Sequence, residues 1–289
     1  MISARTLVLT FLAMIAFASN SLLCRAALKQ TGIDAASFTF VRILSGALIL
    51  WLIVKMRVTA RDESVRQRAG TWVSALALFV YASAFSFSYN TLSAATGALL
   101  LFGAVQATMI CWGLRKGERL HSVQIAGLIL AVVGLVVLLF PGLSAPPLAG
   151  SVLMISAGAA WGVYSLRGKG ETKPIHATAG NFVRAVPFAA FVSLISLPWA
   201  HLDFVGVLYA MVSGAITSGL GYVIWYRVLP ALKAASAATV QLSVPVLTAT
   251  GGILWLGEPI TPRYLFASIA VLGGIALVVM EKKQLRTKH

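Results

Sequence analysis

The chain has 289 residues, of which 59% are hydrophobic and 11% charged, with a mean hydropathy of +0.89 and a formal net charge of +15. Soluble domains use roughly 45–50% apolar and about 25% charged residues, so a water-facing globule is excluded. The basic surplus lies in short gaps between apolar runs and forms no aromatic-interleaved groove, which excludes a nucleic-acid partner and points to charges that set membrane topology.

A membrane-crossing helix needs about 20 mainly apolar residues. That length predicts spans near 5–26, 36–56, 70–89, 93–114, 121–140, 149–168, 177–198, 204–227, 234–256 and 262–281. The first follows a basic start like a signal peptide, but its length and its later counterpart argue for a retained helix. Connections such as Tyr89 to Ala94 and Gly117 to His121 leave no room for a soluble domain. Counting Lys and Arg on alternate sides gives eighteen on the side of the termini and three, Arg25, Lys29 and Arg263, on the other. By the positive-inside rule both termini are expected in the cytoplasm of a bacterial inner-membrane, multi-pass protein.

Sliding the second half over the first, at an offset near 140 positions, aligns Phe40-Val41-Arg42 with Phe182-Val183-Arg184 and Gly117-Glu118 with Gly257-Glu258. One transmembrane domain over 1–289 is therefore read as two five-helix repeats, 1–142 and 147–283. An odd number of spans per repeat inserts the second copy upside down, and such inverted pairs suit a carrier that exchanges outward-open and inward-open states.

Trp161-Gly162, Leu256-Gly257-Glu258, Gly117-Glu118 and Pro245 resemble the drug/metabolite transporter superfamily, in its EamA-type branch. The resemblance implies an all-α polytopic fold of ten transmembrane helices in two inverted repeats, and solute transport by alternating access. Ser19-Asn20-Ser21, Arg25, Ala36-Ser37-Phe38 and Phe40-Val41-Arg42 further resemble YddG-type exporters of aromatic and other neutral amino acids. The halves depart from each other where Val105 stands opposite Pro245 and Ser19-Asn20 opposite Trp161-Gly162, so strict functional symmetry is not expected.

Every Asp, Glu and His falls in a loop or at a span end. Proton-coupled carriers place a titratable group within the membrane, so this distribution predicts facilitated transport without proton coupling. It also leaves no carboxylate pair, triad or ligand cluster, so neither an enzyme nor a metal or other cofactor is expected. Cys24 and Cys111 read as small core residues, and Gly117-Glu118 and Gly257-Glu258 as helix stops whose Glu pairs in the turn.

Polar and aromatic residues that share helix faces give the candidate substrate site. They are Ser19 and Asn20 with Phe17 on the first span, Tyr81 and Phe85 on the third, and Trp161 and Tyr164 on the sixth. Thr217 and Trp225 come from the eighth, Thr96 and Gln106 from the fourth, and Ser236, Gln241 and Ser243 from the ninth. Aromatic walls with neutral hydrogen-bonding groups suit an amphipathic amino acid. A broad drug/metabolite efflux carrier is the alternative, disfavoured for cations because no embedded acid would meet them. Arg42 and Arg184 lie roughly 9–12 Å inside their spans at 1.5 Å per residue, where each either snorkels or serves as a gate or carboxylate anchor. Pro187 and Pro245 each free a backbone carbonyl within a span, and Pro245 is the candidate hinge. The partners expected are a small-molecule substrate and the bilayer, with the chain acting as a monomer.

Overall fold

A computed structural model of the chain describes residues 4–57, 70–117, 121–140, 145–168, 171, 173–228 and 240–286. The described residues are helical with short connections. In chain order the helices are α1 (Ala4–Gln30), α2 (Ala35–Arg57), α3 (Trp72–Ser88), α4 (Ala94–Arg115) and α5 (Ser122–Leu139). Then come α6 (Leu148–Gly168), α7 (Pro174–Ile195), α8 (Phe204–Val228), α9 (Ser243–Leu256) and α10 (Pro262–Arg286). Seven of these are long and apolar enough to cross a membrane by length and composition, while α3, α9 and the apolar part of α10 are shorter.

Local chemistry fixes the helix ends. Thr71 caps α3 by accepting from the Ser74 amide at 3.2 Å, and Ser93 caps α4 by accepting from Thr96 N at 3.3 Å. Asp203 does the same for α8 through Gly206 N at 2.9 Å. Gly257 stops α9 at φ +62°, a left-handed conformation that a side chain would strain. The ninth span departs from its expected extent of 234–256: among the described residues the helix breaks at Leu242 and resumes at Ser243. Pro245 consequently occupies the first turn of α9, where its missing N–H would have gone to the carbonyl of Gln241 on the far side of the break. Pro187, by contrast, stays inside α7.

The eighth span is not a uniform α-helix either. Ser213–Leu220 forms a π-helical segment between two α-helical ends. Such segments concentrate at functional sites. This one is packed hard against α2: a Cβ on Gly214 would collide with the Arg42 carbonyl and the Ser45 hydroxyl.

Packing follows a regular scheme. α1 packs on α8 and α9, and α6 packs on α3 and α4. α2 lies on α7, α5 on α10, and α4 on α9. Gly158 and Gly162 let α6 approach α4, since a Cβ at Gly158 would come within 2.5 Å of the Leu101 carbonyl and at Gly162 within 2.8 Å of Thr108. Small residues commonly allow this closeness between membrane helices. One corrected expectation concerns the cysteines: Cys24 is buried in the core, but Cys111 is exposed on α4.

Candidate substrate site

Asn20 is the centre of a polar knot inside the bundle. Its Nδ2 donates to the Tyr81 hydroxyl at 3.2 Å, while its Oδ1 accepts from Ser213 Oγ at 2.6 Å and from Thr217 Oγ1 at 3.3 Å. Three helices are joined by one amide. The π segment brings both hydroxyls of α8 to the same oxygen.

Arg42 enters the knot from α2. Its Nη2 donates to the Tyr81 hydroxyl at 3.1 Å, and its guanidinium carbon lies 4.8 Å from the Phe85 ring centroid and 5.3 Å from that of Tyr81. Arg42 is 2% exposed, which rules out the snorkelled reading for this residue. Its Nη1 is buried and meets no hydrogen-bond partner, and the ion pair found among the described residues is elsewhere, between Arg25 and Glu258. A guanidinium in this setting is costly unless something anionic meets it.

The apolar wall is aromatic. Trp161 lies 4.9 Å from Tyr81, 5.0 Å from Tyr222 and 5.5 Å from Tyr164, centroid to centroid, with Phe17 edge-on at 6.4 Å. Phe17 also meets Trp225 at 5.9 Å and Tyr222 at 6.0 Å. Offset and edge-on contacts of this kind suit the ring quadrupoles. Between the rings and the Asn20 knot lies a cavity of about 20 Å³, lined by Phe17, Asn20, Tyr81, Phe85, Trp161 and Thr217 among others. A single water needs roughly 10–15 Å³ on this measure, so an amino acid enters only if the helices part.

The structure brings the candidates together unevenly. Asn20, Tyr81, Phe85, Trp161 and Thr217 line one cavity, with Tyr164 and Trp225 against its rings. Ser19 is half-buried and does not line it. Thr96 belongs to the α4 cap, where its hydroxyl accepts from Ser93 Oγ at 2.9 Å. Gln106 is buried elsewhere in α4 with an unpartnered Nε2, and Ser243 spends its hydroxyl on the Val240 carbonyl at 2.6 Å. Gln241 is half-buried just before the α9 break, and Ser236 lies outside the described residues.

Arg184 is not placed as Arg42 is. It is half-buried and its Nη1 donates to the Gly180 carbonyl at 2.9 Å, one turn back on its own helix. The equivalent placement expected of the two arginines from the Phe-Val-Arg repeat is therefore not found: Arg42 is buried in the knot and Arg184 is half-buried on its own helix.

Sequence reasoning missed Ser213, Tyr222 and the full partnership of Glu258. Ser213 stands four residues before Thr217, which was signal enough. Glu258 is 7% exposed; its Oε1 accepts from Arg25 Nε at 2.8 Å and its Oε2 from the Ala94 amide at the start of α4, also at 2.8 Å. Arg25 Nη1 adds a bond to the Tyr89 carbonyl at 2.7 Å. The pair thus ties α1, the end of α3, the start of α4 and the end of α9 together. Glu118, its sequence counterpart, lies outside the described residues.

An all-helical bundle with long apolar helices around a small polar and aromatic centre defines a multi-pass membrane protein. The chain belongs to the EamA-like transporter family, whose profile matches it twice, over residues 4–140 and 148–280. An uncharacterized protein of Pseudomonas aeruginosa is 55% identical over 275 residues, covering 95% of this chain and 94% of its own. A probable amino-acid metabolite efflux pump of Escherichia coli is 26% identical over 64% of this chain and 67% of its own length. The threonine/homoserine exporter RhtA of Escherichia coli is 29% identical over 57% of this chain and 59% of its own. A solved crystal structure, 17% identical, shares the fold at a TM-score of 0.68 over 98% of this chain and all of that one. The family and the named relatives are transporters, which disfavours an enzyme.

Proposed function

We propose that the protein exports neutral amino acids, aromatic ones among them, by alternating access and without proton coupling. The observation that carries the reading is Arg42: a buried guanidinium with an unpartnered Nη1, one hydrogen bond away from the Asn20 knot and packed beside the aromatic wall. A substrate carboxylate would meet Arg42, its ammonium the oxygens gathered at Asn20, and its side chain the rings around Trp161. The names of the two Escherichia coli relatives agree with this substrate class.

The mechanism rests on ten spans in two inverted repeats, with both termini cytoplasmic in a bacterial inner membrane. Two matches to one family profile, at 4–140 and 148–280, support the duplication. So do the principal helix contacts, which are preserved when each helix is exchanged for the one five places away: α1 on α8 and α9 becomes α6 on α3 and α4, while α2–α7, α4–α9 and α5–α10 map onto themselves. Two such halves can trade conformations around a shared centre.

The test is counterflow in proteoliposomes with labelled Phe, Trp and Thr, with and without an imposed pH gradient. Saturable exchange that Arg42→Gln abolishes is expected. No exchange of any neutral amino acid overturns the substrate class, and strict dependence on the gradient overturns the uncoupled mechanism.

A further inference from the structure

A cavity larger than the central one lies elsewhere among the described residues. A groove of about 420 Å³ runs between α2, α3 and α7, walled by Trp51, Val54, Trp72, Ala179 and Val183, with Pro187 at one end. Trp51, Trp72 and Val183 are exposed, so the groove opens sideways, toward the hydrocarbon that surrounds a multi-pass bundle. Its mouth lies where α2 ends and where α3 and α7 begin: Trp72 is the first residue of α3 and His176 the third of α7.

Basic groups flank that mouth. Arg184 lines the groove and leans back one turn to Gly180, which brings its guanidinium nearer the mouth than its Cα. On the α2 side Lys55 Nζ stands 5.0 Å from the ring centroid of Trp51. His176 Nε2 is buried at the groove and has no hydrogen-bond partner. Tryptophans at headgroup level, cations beside them and an apolar trough leading inward are what an anionic lipid requires, and basic pockets between transmembrane helices bind such headgroups.

We infer that this groove holds one anionic glycerophospholipid, with its phosphate between Arg184 and Lys55 and an acyl chain along Val183 toward Pro187. This goes beyond the transport reading and does not depend on the substrate. An acyl chain matches the apolar lining, whereas a free inorganic anion would leave that surface unfilled.

Native mass spectrometry of the full chain, with palmitoyl-oleoyl phosphatidylglycerol competing against the matching phosphatidylcholine, tests it. Phosphatidylglycerol should survive stepwise delipidation in preference, and Arg184→Gln and Lys55→Gln should each cut its retention about fivefold. Val183→Trp, which fills the trough from an exposed position, should remove both lipids alike. Lys55 is an exposed residue near a helix end, so Lys55→Gln and Val183→Trp give a reading even if Arg184→Gln fails to fold. Equal retention of the two lipids overturns the inference, as does a phosphatidylglycerol preference that all three variants keep. Displacement of the lipid by Phe also overturns it, because the groove would then be a substrate vestibule.

Discussion

Glu258 holds two partners from distant parts of the chain at the same 2.8 Å: the Arg25 guanidinium and the backbone amide of Ala94. Both side chains are largely buried, at 14% and 6% exposure. Removing one member of a buried pair leaves a charge without compensation and costs about 3–5 kcal/mol. Arg25→Ala should therefore lower thermal stability in detergent strongly, and Arg25→Ala with Glu258→Gln should recover a large part of the loss. Measured by scanning fluorimetry, additive losses in the double variant would contradict this account.

Asn20→Ala strands the Ser213 hydroxyl and removes one of the two donors to Tyr81. A buried polar group left unpaired costs about 1–3 kcal/mol. If the knot receives substrate, the variant should raise the half-saturation concentration for exchange roughly tenfold or more, while the folded yield stays near wild type. An unchanged half-saturation concentration would make the knot a purely structural joint.

Gly214→Ala places a methyl against the Arg42 carbonyl and the Ser45 hydroxyl, both held in helix α2. Overpacking of this kind costs about 1–3 kcal/mol. The expected result is a less stable protein whose exchange falls with it, because α2 and the π segment must separate. Gly273→Ala is the control, since its Cβ would meet nothing within 4 Å.

Asp34 gives a pH dependence outside the spans. Burial pushes its carboxyl up, but bonds from Ser37, from His201 N at 3.0 Å and from Ala36 N at 2.9 Å outweigh it and hold the group below its usual range. A depressed folded value means that the stabilisation is complete above the unfolded value near 3.9 and fades as pH falls through the folded one. Asp34→Ala should cost about 1 kcal/mol at neutral pH as a lost helix cap. Denaturation series down the acid limb should show wild type and variant converging; a constant gap would refute the assignment.

Much of the candidate site was legible because helical spacing alone puts Tyr81 with Phe85, and Trp161 with Tyr164, on common faces. Asn20 announced itself as an amide in an apolar run. The eighth span resisted for a physical reason. Its stripe was counted at α-helical spacing, leading from Thr217 to Trp225, but the π segment has an i to i+5 register that brings Tyr222 into line with Thr217 at the cavity. Only tertiary packing decides such a register. Arg25 and Glu258 lie 233 residues apart, and nothing local in either segment names the other. The break before α9 was half legible: Pro245 marked a lost hydrogen bond, but not that the helix would part at Leu242.

The ring cluster also has an optical consequence. Trp161 touches Tyr81, Tyr164 and Tyr222 within 5.5 Å, so light absorbed by any of the three tyrosines is passed to one indole. A cavity of about 20 Å³ admits an amino acid only by moving those rings. With the other six tryptophans replaced by phenylalanine, Trp161 would report each opening of the bundle as a change in its own emission.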